Sequence, residues 1–223
     1  MKFEGLSREM IALRVSQEIK DGDYVNLGIG IPTLVSNWIE GRDIILQSEI
    51  GMLKTGQLVS GDDIDQDRIN ASCQAVAELP GTSYFDMVES FGMIRGGYMD
   101  VIVMGALQVN DKGDYAGWAN PARGLYGIGN IGGSMDLAAG AKKLLIAMEH
   151  TTKEGDYKIV KHLSYPATTE GKVHMIFTDL AVMEITPQGL LLKEVFPGLT
   201  PENIQSVTEP KLIISPDLKD IEL

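Results

Sequence analysis

Ile44-Ile45-Leu46 is an unbroken apolar run that stops abruptly at Gln47-Ser48-Glu49-Ile50-Gly51. Such a run suits a strand buried on both faces, and this restricts the chain to a sheet covered on both sides. The pattern recurs at Tyr24-Val25-Asn26-Leu27, at Val101-Ile102-Val103-Met104 and over residues 144–148, and residues 175–185 hold one more strand. Helical patterns lie between these runs. Ser7 can cap a helix through about residue 20, with Ile11, Val15 and Ile19 on one face and Gly22 just past its end. Pro32 opens an apolar helix through Trp38, and residues 86–95 form an amphipathic helix with Met87, Phe91 and Ile94 inward, stopped by Gly96-Gly97. Thr186-Pro187-Gln188-Gly189 joins residues 181–185 and 190–194 as a hairpin, and a short helix starts near Thr200-Pro201. Residues 54–67 read as a polar surface loop, and the acidic tail from about residue 216 as loose. The expectation is an α/β fold: an open, mostly parallel sheet with helices on both faces, an antiparallel portion near the C-terminus, and one domain over residues 1–223.

Glu49 sits where a buried strand ends, and open parallel sheets bind ligands outside the carboxyl ends of their strands. A carboxylate there can be a nucleophile, a general base or a helix cap. Gly28-Ile29-Gly30, between a strand and a helix, leaves room for a ligand to meet backbone N–H groups, although close packing of strand on helix asks for the same glycines. Gly127-Ile128-Gly129-Asn130-Ile131-Gly132 matches the dinucleotide fingerprint letter for letter, and Glu149 falls near the distance of a ribose-binding acid. The fingerprint needs a strand directly before it, however. Asn120-Pro121 and Arg123-Gly124 are turn signals, which argues against a nicotinamide or flavin site. Gly132-Gly133 leads instead into Ser134-Met135-Asp136-Leu137, a segment that could offer N–H groups to a developing oxyanion.

The formal net charge of −12, from 19 basic and 31 acidic residues, makes nucleic acid and anionic membranes poor partners. One cysteine, Cys73, excludes an internal disulfide, and three scattered histidines supply no metal-ligand cluster, so no metal is expected. No stretch has the length and apolarity of a membrane span, and Met-Lys-Phe-Glu-Gly lacks the apolar core of a signal peptide. A cytoplasmic location is the expectation.

Four stretches, in order, resemble the β subunit of family I coenzyme A (CoA) transferases, the group of the 3-oxoacid and 3-oxoadipate enzymes. They are Asn26-Leu27-Gly28-Ile29-Gly30-Ile31-Pro32, Leu46-Gln47-Ser48-Glu49-Ile50-Gly51, Ser90-Phe91-Gly92-Met93-Ile94-Arg95-Gly96-Gly97 and Gly132-Gly133-Ser134-Met135-Asp136-Leu137. The resemblance implies that Glu49 is a nucleophile that carries CoA as a glutamyl thioester, and that the Gly133 N–H is an oxyanion donor. It implies CoA contacts around Asn26, Gly28, Gly30 and Gly132, although Asn26 could equally tie down its own loop. CoA esters would be substrates, with no permanently bound cofactor. An α subunit would complete an αβ or α2β2 enzyme, and could supply cations for the CoA phosphates that so acidic a chain lacks. Three positions depart from the family pattern. Ile50 replaces an asparagine, Cys73 stands where animal members carry a lysine implicated in CoA binding, and Tyr98 takes a place usually held by histidine. An acyl-CoA hydrolase and a non-enzymatic effector-binding subunit are the alternatives, and an intact Glu49 favours an enzyme.

Overall fold

The structure is a computed structural model that describes residues 3–121, 123–124 and 133–223. Its backbone is a sheet of ten strands in the order β13 (Leu212–Asp220), β12 (Gly189–Val195), β11 (Ala181–Thr186), β10 (Val173–Phe177), β8 (Lys143–Ala147), β5 (Val101–Met104), β1 (Tyr24–Leu27), β2 (Ile45–Ser48), β3 (Met52–Leu58) and β4 (Val76–Tyr84). The centre consists of the apolar runs: β1 (Tyr24–Leu27), β2 (Ile45–Ser48), β5 (Val101–Met104), β8 (Lys143–Ala147) and β10 (Val173–Phe177). All five are parallel to their neighbours in this central block. Their carboxyl ends therefore share one edge of the molecule, as expected.

Both faces of the sheet are covered. On one, Ile11, Ala12 and Val15 of α1 (Arg8–Ser16) and Val35 of a 3-10 turn (Pro32–Trp38) pack on Val25, Leu46, Val101 and Val103. On the other, Ile94 of α2 (Met87–Arg95), Leu137 of α3 (Gly133–Gly140) and Ile204 of α4 (Pro201–Ser206) join Ile102, Leu144 and Ile146. Side chains alternate between the faces of a strand, so Asn26 and Gln47 fall on the side of α2 while Val25 and Leu46 fall on the side of α1. Helix caps follow the sequence. Ser7 Oγ accepts from the Met10 N–H at 3.3 Å, Asp86 Oδ1 from the Glu89 N–H at 2.9 Å, and Thr200 and Asn203 cap α4 reciprocally.

Several expectations need correction. α1 ends at Ser16, four residues short of the expected stop, and Pro32–Trp38 is 3-10 rather than α-helical. Residues 54–67 do not form a loop throughout. β3 (Met52–Leu58) runs antiparallel to β2, and β4 (Val76–Tyr84) antiparallel to β3, so the sheet is antiparallel at this end too. Residues 175–185 span two strands, β10 and β11 (Ala181–Thr186), and the expected hairpin joins β11 to β12 (Gly189–Val195). The acidic tail is not loose: β13 (Leu212–Asp220) pairs in parallel with β12. Met87 lies exposed on α2, because Ser90 and Ile94, one turn apart, set its buried stripe. A separate three-stranded sheet joins β6 (Gln108–Asn110), β7 (Tyr115–Ala116) and β9 (Ile159–Val160). No helix among the described residues is long and apolar enough to cross a membrane.

Candidate active site

Glu49 stands at the corner of the hairpin that joins β2 to β3. The Gly51 N–H donates to Ser48 O at 3.0 Å, which closes a turn with Glu49 and Ile50 at its two central positions. Because a strand follows and not a helix, Glu49 caps nothing. Its side chain is partly buried, and no ion pair among the described residues holds it.

Asn26, fully buried at the centre of β1, reaches across to the neighbouring strand. Its Nδ2 donates to Glu49 Oε2 at 3.2 Å, to Gln47 O at 3.1 Å and to Gln47 Oε1 at 2.6 Å. Gln47, also buried, donates from Nε2 to Ser90 Oγ of α2 at 2.8 Å. A polar thread thus runs from α2 through β2 and β1 to the carboxylate, inside a layer that is otherwise apolar. Asn26 Oδ1 is buried and finds no hydrogen-bond partner among the described residues. Leaving a buried acceptor unpaired costs about 1–3 kcal/mol, a sacrifice found where side chains are placed for chemistry rather than stability.

The other half of the site rim is a turn at residues 69–75, pinned at both ends. Asn70 Oδ1 accepts from the N–H groups of Ser72 and Gln74, Ala71 N donates to Ser48 Oγ at 3.1 Å, and Ser72 Oγ meets Thr33 Oγ1 at 3.1 Å. Cys73, in this turn, is exposed and holds a left-handed φ of 57°. Tyr98 is remote. It stands with Tyr24 and Met99 at the amino ends of β1 and β5, the opposite edge of the sheet from Glu49.

The glycines divide by role. At Gly28 a β-carbon would meet Met104 Sδ at 3.0 Å and Val103 O at 3.2 Å, so close approach to β5 requires glycine. The Gly28 N–H donates to Val103 O at 2.8 Å, and this corrects the expectation that it is exposed to a ligand. Gly30 is exposed with φ of 95°, a left-handed turn position. Gly133 is the first residue of α3, where a β-carbon would touch the Phe91 ring of α2 at 3.5 Å. Its N–H is among the first-turn groups that α-helical bonding leaves unused. Gly132, and with it the fingerprint-like stretch 127–132, lies outside the described residues. A cavity of about 190 Å³ opens between the loop after β1 and the first turn of α3, bordered by Ile29, Met104, Gly105, Tyr115 and Ser134.

The structure thus brings Glu49 and Asn26 into contact, and places Gly28, Gly30 and Gly133 in loops or first turns at the carboxyl edge. Sequence reasoning missed Gln47 and Ser90. Both carried a readable signal: a polar residue inside a buried strand, and a serine on the buried stripe of an amphipathic helix.

Comparison with known proteins converges on one family. Residues 8–206 match the family profile described as Coenzyme A transferase. The B subunit of the succinyl-CoA:3-ketoacid coenzyme A transferase of Helicobacter pylori (strain ATCC 700392 / 26695) is 42% identical over 202 residues, which cover 91% of this chain and 96% of that protein. The B subunit of the 3-oxoadipate CoA-transferase of Pseudomonas putida is 43% identical over 208 residues, covering 93% and 97%. The beta subunit of the acetate CoA-transferase of Escherichia coli K12 is 40% identical over 213 residues, covering 95% and 96%. Among solved structures, the acyl-CoA transferase YdiF of Escherichia coli O157:H7 superposes with a TM-score of 0.77 at 24% identity. The match covers 100% of this chain but only 44% of that one.

Proposed function

This chain belongs to the coenzyme A transferase family, and from that premise we propose that it is the β subunit of an enzyme that moves CoA from an acyl-CoA to a free carboxylic acid, with Glu49 as the nucleophile. The observation that carries the reading is the placement of Glu49: a carboxylate at a hairpin corner on the carboxyl edge, free of any cation among the described residues, and touched by the Asn26 amide.

The chemistry needs little more than these groups. A Glu49 oxygen attacks the thioester carbonyl, the carbon–sulfur bond breaks, and CoA leaves as thiolate from a mixed anhydride. The thiolate then attacks the Glu49 carbonyl, which forms glutamyl-CoA and releases the first carboxylate. The acceptor carboxylate reverses both steps. Each step replaces one activated acyl bond with another, so a difficult exchange becomes several easier ones. The Gly133 N–H stabilises the oxyanion formed on the thioester, and one such donor is worth roughly 3–4 kcal/mol.

The partner is an α subunit, in an αβ or α2β2 assembly. Three observations support it. The relatives are named as B or beta subunits, the matched YdiF chain is more than twice as long as this one, and a net charge of −12 calls for cations from elsewhere to meet the CoA phosphates.

The test uses the complete enzyme, co-expressed with its α subunit. Incubated with acyl-CoA and no acceptor, it should hold CoA on Glu49 as a thioester, which borohydride reduces to an alcohol. The treated enzyme should lose activity, and the peptide that contains Glu49 should carry the mass change. Labelling at another residue, near-normal transfer by Glu49→Gln, or robust transfer by this chain alone would overturn the reading. CoA release that needs no added carboxylate would mark a hydrolase instead.

A further inference from the structure

Gln47 and Ser90 are both buried, yet they hold the amide that touches Glu49. Two fixed acceptors, Gln47 O and Glu49 Oε2, face Asn26 Nδ2, so a flipped amide would set its oxygen against both. That orientation dictates the next one. Gln47 must present Oε1 to Asn26 at 2.6 Å and Nε2 to Ser90 Oγ at 2.8 Å. The thread therefore has a direction, and its shortest bond is the one from Asn26 to the Gln47 side chain.

The carboxylate helps to orient Asn26 only while it is charged. In the proposed cycle Glu49 becomes a neutral thioester, and its pull on the amide weakens because hydrogen bonds to ionised acceptors are about twice as strong as neutral ones. We propose that Gln47, anchored by Ser90, is a positioning residue that keeps the Asn26 N–H aimed at the Glu49 oxygen through the uncharged half of the cycle. When the acceptor carboxylate attacks the glutamyl thioester, negative charge develops on that oxygen, and a donor already in place stabilises it without reorganisation. The inference rests on Glu49 as the nucleophile. It adds that one donor serves both attacks on the Glu49 carbonyl, by the CoA thiolate on the anhydride and by the acceptor carboxylate on the thioester.

The experiment measures the two half-reactions of the complete enzyme separately by rapid quench, with acyl-CoA alone for thioester formation and added carboxylate for discharge. Gln47→Met keeps the volume and removes both polar ends. It should slow discharge and formation alike, roughly tenfold to a hundredfold, while thermal unfolding stays close to that of the unaltered enzyme. Introduced into an Asn26→Ala background, Gln47→Met should slow discharge no further, because residues that act through one another do not add. Ser90→Ala should shift discharge in the same direction by a smaller factor, and it serves as the primary variant if Gln47→Met does not fold. Slowing of only one half-reaction, or full additivity with Asn26→Ala, would reduce Gln47 to a packing role. If the unaltered enzyme forms no thioester on Glu49, the reading of Glu49 itself fails. If the thioester forms and the variants discharge it normally, only the positioning role fails.

Discussion

The carbonyl oxygen of Phe85 fills the space that a β-carbon on Gly51 would occupy. The contact is reciprocal, since the Phe85 N–H donates to Gly51 O at 3.0 Å and ties the start of β3 to the end of β4. Gly51 also holds φ of 122°, which L side chains rarely adopt. The turn that displays Glu49 therefore depends on an absent methyl group two residues away.

Gly51→Ala should be far more costly than a glycine substitution that meets strain alone. Gly22, with φ of 89° and nothing among the described residues near its β position, is the control. Strain in the backbone costs about 1–3 kcal/mol at either site, and only Gly51 adds a clash with backbone. At about 2–4 °C per kcal/mol for a chain of this size, thermal unfolding should separate the two variants by several degrees. Equal melting temperatures would show that β4 yields to make room.

Asn26→Asp replaces a donor to Glu49 with a second carboxylate. Like charges so close repel, and the attacking oxygen loses the donor that faces it. The transfer rate at neutral pH should fall roughly tenfold or more, and further than in Asn26→Ala, which removes the donor without adding a charge. Transfer by Asn26→Asp at the rate of the unaltered enzyme would mean that Asn26 and Glu49 are not in contact during the reaction.

Ile50, at the other central position of the turn, is 44% exposed beside the nucleophile. Ile50→Asn restores the residue found in the resembling family and removes an apolar contact from the rim. Acyl preference should move towards smaller or more polar acids, by roughly 1–3 kcal/mol of discrimination. Unchanged ratios of kcat/KM over a series of acyl-CoA donors would take position 50 out of the pocket.

His150 gives the fold an acid limit. It is fully buried, its ring nitrogens bonded to Thr178 Oγ1 and Thr208 Oγ1, each at 2.9 Å. Burial, with some repulsion from Lys158, pushes its pKa from 6.5 down to about 3. The folded state therefore refuses a proton that the unfolded chain accepts, so stability falls as pH drops below 6.5. The slope is about 1.4 kcal/mol per pH unit from this group. Denaturant unfolding of His150→Gln should show a shallower decline between neutral pH and about pH 5. A decline of the same slope would assign the loss to other groups.

What was legible in the sequence follows from burial. Strands β1, β2, β5 and β8 are covered on both faces, so each is marked by a short, mostly apolar run. β3 and β4 face solvent near the edge of the sheet, and Lys54, Gly56, Gln57, Glu78 and Pro80 leave no such mark. β13 is hidden by the same cause at the other edge. The nucleophile was readable because a strand end is a local signal. Its supports were marked only as polar residues on buried faces; their pairing was not legible, because the partnership of Asn26 with Gln47 depends on strand register, and that of Gln47 with Ser90 on the docking of a helix 43 residues away. Gly28 shows the converse: a glycine that looked like ligand space is explained by the approach of β5.

Asn26 and Gln47 face each other across two strands that each have a hydrogen-bonded neighbour on both sides. Backbone amides in such interior positions exchange with deuterium only when the surrounding unit opens as a whole, whereas turns and edges exchange through local fraying. The N–H groups of Val25, Asn26, Leu46 and Gln47 should thus be among the slowest in the chain, and the corner that carries Glu49 among the faster ones. The nucleophile rides on a tip that can breathe, while the amide that meets it keeps its aim for as long as the molecule stays folded.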